Sequence, residues 1–132
     1  MTIRLLTAEE LAQRWHEVKP YVDRALEYGQ GESTSHDLFM ECMNKWAACF
    51  EAPGKSFAIV RKCTLSQYDQ LQIVTTSGEG WDEYGPEALP ILEDFAKQEG
   101  CKNIAIWGRK GWERVLPDGW KHVYSVFHKE LS

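Results

Sequence analysis

Between Gln70 and Trp107 the hydrophobic period changes twice, and this constrains the fold more than any other feature. Gln70 to Thr76 is rich in β-formers, with Leu71, Ile73 and Thr75 alternating with polar neighbours, as in a half-buried strand. The loop "SGEGWDEYG" follows. Pro86 then opens a helix through about Gln98, with Leu89, Leu92, Phe95 and Ala96 inward and Gly100 as its C-cap. Asn103 to Trp107 reads as a strand again. A strand, a helix and a further strand call for a sheet with helices packed on it.

The flanking sequence extends this pattern. Residues 3–6 form a short first strand, and Thr7 with Glu10 makes a capping box for a helix carrying Leu11, Trp15 and Val18 on one face. Pro20 predicts an end near Val18 and a second helix running from Pro20 to about Glu27. After the loop at 29–35, Thr34 or Ser35 caps a helix whose apolar face is Leu38, Phe39, Cys42, Met43, Trp46 and Ala47. "EAPGKS" at 51–56 is a turn between two strands, the second running from Phe57 to Cys63. A short helix at Lys110–Leu116 and a long final strand at Trp120–Leu131 complete the order β, α, α, β, β, β, α, β, α, β. The expected fold is α/β (α+β), one domain over residues 1–132, with a mixed central sheet covered by helices on both faces.

Composition narrows the function. Six tryptophans and 43% apolar residues supply a core, and the net charge of −5 is spread without runs of like charge. A chain of this kind is not expected to bind nucleic acid or an anionic membrane surface. No apolar run approaches the roughly 18 residues that span a bilayer, and the first residues lack a signal peptide's pattern, so a cytoplasmic location is expected. Cys42, Cys49, Cys63 and Cys101 are scattered and read as reduced thiols, with Cys101 a core thiol. His16, His36, His122 and His128 lack metal-ligand spacing, so no metal is expected. There is no Gly-x-Ser-x-Gly nucleophile elbow.

Residues 87–131, "EALPILEDFAKQEGCKNIAIWGRKGWERVLPDGWKHVYSVFHKEL", resemble the Gcn5-related N-acetyltransferase (GNAT) family. Phe95-Ala96, Gly100-Cys101, Ile104-Ala105-Ile106 and Gly119-Trp120 stand where that family has a helix end, a Gly-Cys turn, a strand and a Gly-Phe-like pair. "GRKGWERVLPDGW" also resembles small acetyltransferase-like proteins that tailed bacteriophages encode beside head and portal genes. The resemblance implies a sheet of five to seven strands in which the 69–76 and 103–107 strands are adjacent, parallel and splayed at their C-terminal ends.

The resemblance also implies where function would lie. The family holds the coenzyme A pyrophosphate on a Gln/Arg-x-x-Gly-x-Gly/Ala loop. Here Gly78-x-Gly80 is present, but Thr75 replaces the Gln or Arg. Glu79, Asp82 and Glu83 place negative charge at the phosphate position, and Pro86 removes a donor. An acidic connecting loop is therefore expected, with no cofactor. If acetyl-CoA does bind, Ser77, Gly78, Glu79, Gly80 and Gly85 would hold it. The family's general-acid tyrosine corresponds to Val115, which has no proton to give; Tyr84, Tyr124, Glu79 and His122 are the remaining titratable candidates, and the catalytic residues stay unknown.

Two functional readings remain open. One is a non-catalytic, phage-encoded interaction or virion-associated protein; the other is an active acyl-CoA N-acyltransferase with an atypical loop. Trp15 and Trp46 read as core. Trp81, in the acidic loop, and Trp112, after a glycine, are the candidate interface residues for a protein partner, a phage particle component or a homo-oligomer.

Overall fold

The computed structural model describes residues 3–53, 55–78, 81–107 and 114–131, with the backbone alone at 81–83. The first helix, α1, spans Ala8–Leu26 and follows a two-residue strand β1, Arg4–Leu5. Thr7 closes its N-terminus as expected: Thr7 Oγ1 accepts the Glu10 N–H at 3.1 Å, and Glu10 Oε1 accepts the Thr7 N–H at 3.0 Å. The predicted break at Pro20 does not occur. Pro20 lies on the exposed side of one continuous helix, while Leu11, Val18 and Val22 are buried on the other. Burying a valine or leucine contributes about 1.5–3 kcal/mol each, which offsets the roughly 3 kcal/mol cost of an interior proline.

The second helix, α2, is Ser35–Met43 and is capped reciprocally by Thr34 and Asp37. It ends earlier than its apolar pattern predicts. Lys45 adopts φ 64°, and the Trp46 N–H returns to Glu41 O at 2.9 Å while the Lys45 N–H bonds Cys42 O at 3.1 Å. This is a Schellman ending made without glycine, so the sequence carries no mark of it. Trp46 is thereby expelled from the helix to 69% exposure, contrary to its expected place in the core, and Ala47 opens a strand instead.

The sheet runs in order β1-β2-β3-β4-β5, with β2 Ala47–Ala52, β3 Ser56–Thr64, β4 Asp69–Gly78 and β5 Asn103–Ile106. All neighbours are antiparallel except β4 and β5, which are parallel as the resemblance implied. Alternation along β2 and β3 feeds two cores. Ala47, Cys49, Phe57 and Ile59 pack with Leu11, Val18, Val22, Leu38 and Cys42 beneath α1 and α2. Phe50, Ala58 and Val60 pack with Leu71 and Ile73 of β4 against the third helix, α3 (Trp81–Gln98), at Leu92 and Ala96. Helices thus cover both faces, a mixed α+β architecture. Arg14 clamps α1 to the edge of β2, its Nη1 donating to Glu51 Oε1 at 2.9 Å. Arg61 of β3 grips Glu41 of α2 in the same two-pronged way, at 2.6 and 3.0 Å.

α3 begins five positions before the predicted Pro86 start. Its core stripe is Ala88, Leu92 and Ala96, one residue per turn, while Pro86 and Pro90 sit on the solvent side. Carbonyls deprived of a donor there can be hydrated, which keeps the helix whole. Its end is as predicted: Gly100 has φ 77°, the Cys101 N–H bonds Ala96 O at 2.9 Å and the Gly100 N–H bonds Lys97 O at 3.1 Å.

The last expected elements differ. Most of the predicted 110–116 helix lies outside the described residues. Trp120–Leu131 was expected as a strand, yet it joins no ladder. Trp120 packs against the α3-side core and Tyr124 meets Trp107 edge to face at 6.5 Å, while Phe127 is 93% exposed. Alternating β-formers supply propensity, but a strand also needs an edge that accepts it.

Candidate functional site

The sheet opens where β4 and β5 part. Their parallel pairing covers Gln70–Ile73 against Asn103–Ile106, and β4 then runs on from Val74 to Gly78 with no strand beside it on that side. A β-bulge lies at the same place. Val60 pairs with Ile73 and Ile59 with Thr75, leaving Val74 as the extra residue. The bulge reverses the alternation of β4. Leu71 and Ile73 face α3, whereas Thr75 and Ser77 sit opposite Ile59 and Phe57 on the α1/α2 side. The simple alternation of Leu71, Ile73 and Thr75 on one face is therefore corrected.

The gap lies between the end of β4 and the end of β5, which stops at Ile106, one residue short of the expected Trp107. Ser77 is buried on the far face of the sheet from α3, so its side chain is not directed at the loop before that helix. Gly78 closes β4 with φ 89°, and a Cβ there would come within 1.9 Å of Lys55 O. Only glycine fits, and the neighbour that demands it is the β2–β3 turn. Ser56, its cross-strand partner, is completely buried, and its Oγ has no hydrogen-bond partner among the described residues.

Glu79 and Gly80 lie outside the described residues, as does Trp112, and of Trp81 only the backbone is described. Gly85 is corrected. It belongs to α3 rather than to a connecting loop, at the fifth position of the helix. Pro86 is corrected likewise, for the amides exposed at the helix start belong to residues before Gly85. Asp82 and Glu83 lie in the backbone of that first turn.

Among the proton-bearing candidates, His122 accepts or donates to Ser125 Oγ at 3.3 Å on the exposed tail. Tyr84 stands in the first turn of α3, half-buried. Tyr124 rests on Trp107, at the β5 side of the gap. Val115 is 62% exposed and carries no titratable group. The sequence reading missed Trp46 and Trp107 as exposed aromatics, at 69% and 60% exposure.

Two shallow grooves, about 330 Å³ and about 320 Å³, lie elsewhere on the α3 side, lined by Leu5, Phe50 and Phe95 and by Trp46, Val60 and Glu99 respectively. Neither reaches the gap. No cluster of metal-binding side chains occurs among the described residues, and no described helix is long and apolar enough to cross a membrane.

No family model matches the chain, and no curated protein matches it. Solved structures do match. One of a probable acetyltransferase superposes with a TM-score of 0.71 at 12% identity, covering 100% of this chain and 99% of its own. An aminoglycoside acetyltransferase, meta-AAC0020, from an uncultured soil metagenomic sample in complex with sisomicin gives 0.70 at 12% identity, covering 99% and 96%. A GNAT family acetyltransferase from Staphylococcus aureus gives 0.62 at 18% identity, covering 98% of each chain. At such identities the likeness is one of fold.

Proposed function

We propose that this chain, which has the GNAT acetyltransferase fold, works as a binding module and not as an acyl-transfer enzyme. The observation carrying this reading is the first turn of α3. In a fold of this kind a coenzyme A diphosphate would rest on the amides at that helix start. Here Asp82 and Glu83 hold the turn. Each carboxylate at about 4–8 Å from a phosphate opposes binding by about 2–4 kcal/mol at an effective dielectric near 20. Gly78, the loop glycine that would admit a phosphate, is explained by the Lys55 carbonyl instead. Two acids in this turn argue against a diphosphate ligand.

Such a module presents its surface to a protein. The resemblance of residues 108–120 to phage-encoded proteins supports a partner in a bacteriophage particle, with neither nucleic acid nor membrane as the proposed target. Head and portal genes on either side of the coding sequence would support that setting, and their absence would remove it.

The test is thermal. Ligand at a hundred times its dissociation constant adds about 2.7 kcal/mol to stability, several degrees of melting temperature at this size. Millimolar acetyl-CoA should move the melting temperature by less than about 1 °C, whereas Asp82→Asn/Glu83→Gln should restore a measurable shift if the acids are the obstacle. A shift of several degrees in the unmodified protein overturns the reading.

One observation favours the alternative, acyl transfer: the Tyr124 phenol stands beside the gap, against Trp107. An acyl-transfer activity lost in Tyr124→Phe would replace the binding reading with an enzymatic one.

A further inference from the structure

The two faces of the sheet are unequally covered. α1 and α2 pack on one, whereas α3 is the one described helix on the other. Five strands span about 20 Å, and a single helix covers about 10 Å of that width. α3 lies over Leu71 and Ile73 of β4, and its Phe95 reaches Phe50 of β2 edge to face at 5.2 Å. The start of β2 and the end of β3 are left beside it. The groove of about 320 Å³ between Trp46 and Phe95 is this uncovered strip.

Three features of the groove point to one kind of occupant. The first is a bare strand edge. β2 begins only at Ala47, opposite Arg61, while β3 continues through Lys62, Cys63 and Thr64 opposite Leu71, Gln70 and Asp69. Over those three residues β3 has a described strand on one side only, and the turn carrying Lys45 and Trp46 stands where β2 would continue. An edge of this kind offers backbone donors and acceptors to an extended peptide.

The second feature is Trp46. The turn that expels it holds Lys45 at φ 64°, a strained conformation for a residue with a side chain. Trp46 stands 69% exposed on one wall of the groove with Phe95 on the other, so an apolar side chain entering there meets two aromatic rings. The third is charge. Lys45 and Lys62 line the groove; Lys45 makes no ion pair among the described residues, and Lys62 comes no nearer to Asp69 than 3.7 Å. Glu99 stands on the helix side, so a carboxylate is drawn toward the lysines and away from α3.

We infer that this groove holds an extended acidic segment of a partner protein, added as a short strand beside Lys62–Thr64. Its apolar side chain lies between Trp46 and Phe95, and a neighbouring carboxylate is held by Lys45 and Lys62. The site is at the other end of β4 from the gap: Leu71 lines the groove, whereas β4 parts from β5 only after Ile73. The inference shares a protein partner with the proposed function and holds whether or not the gap takes coenzyme A.

Selection of a random octapeptide library on the full chain tests it, followed by fluorescence anisotropy and amide chemical-shift mapping of the enriched peptides. These should carry Asp or Glu within two residues of an aromatic or leucine, and should shift the amide signals of Lys62, Cys63 and Thr64. Binding should weaken at least about tenfold in Trp46→Ala, which removes a largely exposed side chain. It should also weaken in Lys45→Gly, which suits the φ of 64° while removing the ammonium. If Trp46→Ala does not fold, Lys45→Gly decides alone. A library that yields no binder overturns the inference. So do enriched peptides without an acid, peptides that bind both variants as well as the unmodified protein, or shifts that map to the gap.

Discussion

Ile106 lies opposite Ile73 in the parallel β4–β5 pair, and no pairing between the two strands extends beyond it. One residue later Val74 bulges, the alternation of β4 reverses, and the remaining residues of the strand run to Gly78 paired with β3 but no longer with β5. The gap of the acetyltransferase fold is therefore kept by backbone geometry, whatever the first turn of α3 now binds.

Gly78 is the point at which that geometry is least tolerant. A methyl group would meet Lys55 O at 1.9 Å on a backbone with φ 89°. Gly78→Ala should cost about 2 kcal/mol or more and lower the melting temperature by on the order of 8 °C. Gly31→Ala is the control. It shares a positive φ of 83° but has open space around it, so the loss should stay near 1 kcal/mol. Equal losses in the two variants would show that φ, and not the Lys55 contact, decides.

Pro20 separates the sequence reading from the structure. In a continuous α1, Pro20→Ala restores a backbone hydrogen bond to His16 on the exposed side without touching the core. Thermal melts should show a gain of about 1–2 kcal/mol, less than the full proline penalty because the alanine chain has more freedom when unfolded. A loss of stability would indicate that the helix breaks at Val18 after all.

Stability should fall in acid through the two capping boxes. The Thr7 N–H, and then Arg4, hold Glu10 below its ordinary 4.5; the Thr34 N–H and hydroxyl hold Asp37 below its ordinary 3.8. A carboxylate depressed in the folded state contributes fully above its unfolded value and loses that contribution as pH drops through the folded one. Melting temperature should be flat above about pH 5 and decline below about pH 4.5. Glu10→Gln/Asp37→Asn should flatten the decline; an unchanged slope would assign it to other acids.

The thiols should divide by depth. Burial pushes Cys42 up to about 12 and Cys49 higher still, and both are buried. Cys63 and Cys101 are also raised, by burial first, but remain partly accessible. At pH 8 a disulfide reagent should modify Cys63 and Cys101 at least about tenfold faster than Cys42 and Cys49. All four should be recovered in denaturant without reductant. Recovery of two would reveal a disulfide.

What the sequence determined by itself was local. Thr7 with Glu10, and Thr34, announced two helix starts because a cap is a bond between residues three apart. Gly100 announced a helix end because it supplies a left-handed φ without strain. β-formers at 57–63 and 70–76 announced two strands, and the resemblance carried by residues 87–131 led to the parallel β4–β5 pair. Tertiary structure decided the rest. Pro20, Pro86 and Pro90 stay inside helices because the opposite faces are buried and the affected carbonyls face water. Lys45 ends α2 in a conformation its side chain does not advertise, which ejects Trp46. Thr75 and Ser77 change face because Val74 bulges, and a bulge depends on the partner strand's register. The 120–131 segment had the local qualities of a strand, yet it joins no ladder among the described residues. Propensity and capping are properties of neighbours in sequence; burial, register and edge pairing are settled between residues tens of positions apart.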